Sequence, residues 1–239
     1  MTSLSKNARV AGFVYLLLVL SGPIRLLYIP NKLVVSGNAT ATVNNLAAHE
    51  LLFRCGIVSD LFSGLLSLVL ALALYRLMKG VDRTYAALIV IFGGLMVAPI
   101  YFVNSINDAA ALLFARGADF LSALDKPQRD VFAMLFLRLH GHGVLVNEIF
   151  WGLWLFPFGF LVYRSRFLPR VLGVWLIING FAYLATSFTG LLTPQYERIV
   201  SNYAFPVMFG EVAIMLWLLI MGARPPAPDT AASSVATSI

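Results

Sequence analysis

The sequence predicts an all-α, polytopic six-helix transmembrane bundle, and three observations carry that expectation. The 239 residues are 60% hydrophobic and only 12% charged, with a mean hydropathy of +0.85. A soluble domain of this length needs far more charge to cover its surface. Several apolar runs reach the roughly 20 residues that a helix needs to cross the hydrocarbon. Lys and Arg also divide unevenly between alternate loops, as the positive-inside rule requires of a polytopic chain.

Six spans follow in order, at about 8–28, 48–75, 84–105, 132–163, 171–192 and 203–222, forming one transmembrane domain over 1–222. The first persists too long for a secretory signal, and no small-residue cleavage site follows it. One set of loops holds Lys6, Arg9, Arg76, Lys79, Arg83, Arg164, Arg166, Arg170 and Arg224, nine in all. The other set holds five: Lys32, Arg116, Lys126, Arg129 and Arg198. Both termini are therefore expected in the cytoplasm. Residues 223–239, rich in Pro, Ala and Ser, cannot bury a core and are expected to form a disordered cytoplasmic tail. The net charge of +6 reads as loop charge facing an acidic lipid surface, and no arginine stripe with interleaved aromatics suggests nucleic acid. Cys55, the single cysteine, lies in an apolar run and reads as a packed core thiol.

Acidic residues interrupt this apolar sequence. IVSDLFSGL (Ile57–Leu65) aligns without a gap over LVNEIFWGL (Leu145–Leu153), and Tyr-Arg follows fifteen residues after each acid. The echo predicts three repeated hairpins, spans 1–2, 3–4 and 5–6, unless it is a chance likeness between apolar helices. A charge at the centre of a bilayer costs about 2.5–3.5 kcal/mol on insertion scales, so such residues usually have a job. Arg25, Asp60 and Glu148 each lie sixteen residues from a basic residue at the cytoplasmic end, hence at one height, about 24 Å away along a straight helix.

Helical phase adds direction. His49, Phe53, Gly56, Asp60, Ser63, Gly64 and Ser67 share a small, polar face of span 2, and His140, Val144, Asn147, Glu148 and Trp151 share one of span 4. Asn104 and Asp108 are one turn apart at the outer end of span 3. The expected ligand-binding set is Arg25, Asp60, Asn104, His140, Asn147, Glu148 and Glu211, lining an outward-opening polar pocket for a small molecule, cation or proton. Simple bracing of the bundle by Arg25, Asp60 and Glu148 is the plain alternative. A metal-dependent hydrolase, with His49, His140 and His142 on the metal and Glu148 as base, is the chemical one. It suffers because residues two apart on a helix point to nearly opposite sides, so His140 and His142 cannot both chelate without unwinding. No HExxH, GxSxG, CxxC or phosphate-binding loop occurs, and no cofactor is expected.

SGPIRLLYIP near the first span, SDLF in the second, and YRSRFLPRVLGVWLIINGFAYL from Tyr163 onward carry a resemblance. The chain is similar, from about Lys6 to Met221, to the bacterial membrane family called domain of unknown function 4386. That resemblance implies a multi-pass protein of the bacterial inner membrane, and it supplies no activity and no catalytic residues.

Overall fold

A computed structural model describes residues 3–223, and the expected tail from 224 onward lies outside them. Six helices in it are long and apolar enough to cross a membrane: Ser3–Leu33, Glu50–Met78, Arg83–Arg116, Lys126–Arg164, Arg170–Leu192 and Pro194–Met221. No strand occurs among the described residues. Large apolar side chains point outward all round, among them Val58, Leu65, Val69, Ile106, Val171 and Leu192. In water such a surface would aggregate; in lipid it is the expected outer face.

The spans run longer than apolar periodicity alone indicates because polar caps start and stop them. Asp125 accepts from the Gln128 backbone N–H at 2.9 Å while the Gln128 side chain accepts from the Asp125 N–H at 3.0 Å, which starts the fourth span six residues early. Asp82 accepts from the Thr84 and Tyr85 N–H groups at 3.0 and 3.2 Å and starts the third. That span ends at Gly117, whose φ of +65° suits a residue without Cβ.

Each span packs mainly on its sequence neighbours, and the sixth returns to the first, closing a ring. The connection at 165–169 is short, so spans 4 and 5 lie antiparallel and very close. A Cβ built on Gly159 would come 2.6 Å from the Gly173 carbonyl, and one on Gly152 2.7 Å from the Gly180 carbonyl. Glycine at these positions lets two backbones touch, which is the usual source of helix affinity in lipid.

Three local features interrupt the run of regular spans. A short helix, Ala39–Ala48, fills the loop after span 1 and packs Leu46 with Ile29, Leu33, Phe53 and Leu112. The first span widens into a π-helical turn over Pro23–Tyr28, where proline removes a backbone donor. The sixth span, expected over 203–222, breaks at 205–208 around Pro206. Carbonyls freed there are met by the fifth span: Trp175 Nε1 donates to Val207 O at 2.9 Å and Asn179 Nδ2 to Met208 O at 3.3 Å. Cys55 is exposed on the outer face rather than packed. The three-hairpin repeat finds no confirmation in the fold.

Candidate functional site

The polar residues of four spans meet where the first widens. Arg25 sits inside the π-helical turn and is buried. Gly56, on the small face of the second span, gives it room: a Cβ there would meet Ile29 Cδ1 at 2.9 Å and lie 3.7 Å from Arg25 Cδ. Arg25 Nε donates to Asp60 Oδ2 at 2.7 Å, and its Nη2 donates to Asp108 Oδ2. Nη2 also lies 3.1 and 3.0 Å from the two ring nitrogens of His140. The imidazole Nδ1 is 3.3 Å from Asp108 Oδ1. One guanidinium thus serves two carboxylates, with an imidazole beside them.

Asp60 and Asp108 are 2% and 1% exposed, so neither can borrow solvation from bulk water. A cavity of about 30 Å³ adjoins the cluster, lined by Arg25, Asp60, Tyr101, Asn104, His140 and Asn147 among others. That is the space of about one water molecule. Asn104 Oδ1 and Asn147 Oδ1, on residues lining it, are buried acceptors with no hydrogen-bond partner among the described residues. Gly143 makes room for this arrangement, since a Cβ there would sit 2.0 Å from Asn104 Oδ1.

Five of the seven expected binding residues come together here: Arg25, Asp60, Asn104, His140 and Asn147. Glu148 does not join them. The fourth span presents His140, Val144, Asn147 and Trp151 to the cavity, and Glu148, the next residue after Asn147, is turned about 100° round the helix. It is half-buried, its Oε2 has no hydrogen-bond partner among the described residues, and the charge bearing on it is that of Glu197. Glu211 lies elsewhere again, where Tyr15 donates to its Oε2 and the side chains of Tyr183 and Asn179 also hydrogen-bond to it. The sequence echo between Asp60 and Glu148 therefore does not place both acids on one cavity. Asp108 takes the second-carboxylate role instead, and its signal was present, one turn beyond Asn104 on the same face.

The hydrolase set is not assembled. His49 ends the short helix with Nδ1 3.2 Å from Asn45 O, and exposed His142 sets its Nδ1 2.9 Å from Arg138 O, one turn back along its own helix. Among the described residues the group able to hold a metal is Asp60, Asp108 and His140, whose ligand atoms lie within 4.8 Å of one another. The Arg25 guanidinium already bonds to both of those carboxylates, so a cation there would compete with a tethered one.

A family model described as Domain of unknown function (DUF4386) matches residues 10–222. An "Uncharacterized protein" of Archaeoglobus fulgidus is 35% identical over 79 residues, which is 33% of this chain and 46% of that protein. The match thus spans less than half the length of that relative. No solved structure matches the chain.

Proposed function

Because the chain belongs to the Domain of unknown function (DUF4386) family, a grouping whose name carries no activity, we propose its function from the chemistry of the cluster. It binds a proton or a small cation among Arg25, Asp60, Asp108 and His140, in a polar pocket that opens toward the outer face. The protein sits in the inner membrane of a bacterium with both termini in the cytoplasm, a placement supported by the nine-to-five bias of Lys and Arg. The observation that carries this reading is the pair of acceptors on Asn104 and Asn147, without a hydrogen-bond partner among the described residues, on a water-sized space that Asp60 and His140 also line. Buried acceptors are normally satisfied, and a proton, a hydrated proton or a cation supplies what the protein does not. Two carboxylates against one guanidinium leave room for that positive charge. A proton or cation also fits a space too small for an organic molecule, and gated transport of a larger solute would need the pocket to widen.

A bracing role is the second reading, favoured by the bonds from Arg25 to two different spans. Thermal unfolding of the purified protein between about pH 5 and about pH 8, and in a series of chloride salts, separates the two. The wild-type midpoint is expected to move with pH or with one cation, and Asp108→Asn, which keeps the shape, to lose that movement. Identical dependence in both proteins overturns ion binding and leaves a brace.

A further inference from the structure

Glu211 is half-buried and unlike Asp60 and Asp108, for no Lys, Arg or His among the described residues pairs with it. It begins the inner segment of the broken sixth span, and three side chains surround its carboxyl. Tyr15 comes from the first span, Tyr183 and Asn179 from the fifth. At longer range Tyr101 of the third span and Glu148 of the fourth face the same group through Tyr183. An ionised carboxylate in such a place has hydrogen bonds but no counter-charge, an expensive state in a membrane.

Asn179 supplies the second observation. It is 0% exposed, and its Oδ1 has no donor among the described residues. An ionised Glu211 can only accept, so it cannot satisfy that oxygen; a carboxylic acid has one O–H to give. Turning the Asn179 amide brings Oδ1 to the carboxyl in exchange for the 3.3 Å bond from Nδ2 to Met208 O, and amide orientation in such a site follows the hydrogen-bond network.

We infer that Glu211 is a second proton-binding site, separate from the Arg25 cluster, built by Tyr15, Tyr183 and Asn179 to hold the carboxyl as a neutral acid. On binding, the proton adds to one carboxylate oxygen, and the new O–H donates to Asn179 Oδ1. The tyrosine hydroxyls go on donating to the carboxyl. Aromatic contacts set this site one layer from the outer cavity. The Tyr183 ring centroid is 5.8 Å from that of Trp151, which is 6.2 Å from that of Tyr101, a cavity-lining residue. Nothing in the inference depends on what the outer cluster binds.

Infrared difference spectroscopy of the full-length protein in lipid nanodiscs at neutral pH tests it. Wild type is expected to show a carbonyl band of a protonated carboxylic acid that Glu211→Gln removes and Asp108→Asn leaves in place. Tyr183→Phe is expected to shift that band without removing it, because one donor is lost while the acid stays. A Glu211→Gln spectrum that superposes on wild type overturns the inference. Should that variant fail to fold, Tyr183→Phe decides alone, and an unshifted acid band overturns it. A missing Asp108 signal bears only on the outer cluster.

Discussion

Arg25→Gln removes the single guanidinium bonded to both Asp60 and Asp108, each almost fully buried. Breaking a buried ion pair by deleting one partner costs about 3–5 kcal/mol, because the remaining charge stays buried and uncompensated. Asp108→Asn alone should cost less, about 1.5–3 kcal/mol, since Arg25 keeps its 2.7 Å bond to Asp60. The double variant removes one orphaned carboxylate together with its cation. Its total loss should therefore fall short of the sum of the single losses by about 0.5–3 kcal/mol. Equilibrium unfolding by sodium dodecyl sulfate in mixed micelles, followed by far-ultraviolet circular dichroism, gives all the terms of the cycle. Glu50→Ala is the control: its pairs with Arg54 and Arg116 are at the surface and screened by solvent, so its removal should leave the unfolding midpoint close to that of wild type. Losses that add to within about 0.3–0.5 kcal/mol would refute the claim that Arg25 and Asp108 act as a unit.

Gly159→Ala should destabilise by about 1–3 kcal/mol in the same assay, since its Cβ meets a backbone carbonyl that cannot move aside. Gly141→Ala, with nothing within 4 Å of its Cβ, should instead stabilise by about 0.5–1 kcal/mol through helix propensity. Gly143→Ala should push the Asn104 amide from its place and alter the pH or cation dependence of the melting midpoint. A topology reporter inserted near Gly37 should read as external and one fused to the C-terminus as cytoplasmic, and the reverse pattern would invert the assignment of the pocket mouth.

The bundle was legible because lipid demands a continuous apolar run for every crossing, and that signal survives without any partner. Arg25, Asp60, Asn104, His140 and Asn147 were legible for the complementary reason: a polar side chain inside such a run must find company. Asp108 was passed over because span 3 was expected to end at 105, which put the acid in the headgroup region. The helix runs on to Arg116, which leaves Asp108 inside. Glu148 misled because sequence likeness ignores the 100° between adjacent residues, and only the neighbouring helices decide which of Asn147 and Glu148 faces in. The short helix at Ala39–Ala48 gave little warning, being ten residues of small and polar side chains whose Val43 and Leu46 are buried only once the bundle exists.

The π-helical turn at Pro23–Tyr28 divides the first span into two sections aimed at different neighbours. Tyr15 before it addresses the sixth span, while Arg25, Ile29 and Leu33 within and after it address the second span and the short helix. Such a turn amounts to one residue more than a regular helix would use over the same length. Removing one residue from this stretch would restore regular winding and swing everything beyond it by about 100°, carrying the outer apolar contacts out of register together. Side-chain changes there can be absorbed one at a time, whereas a change in chain length cannot. Among homologous sequences, the residue count between Tyr15 and Ile29 should therefore vary less than the identities of the residues that fill it.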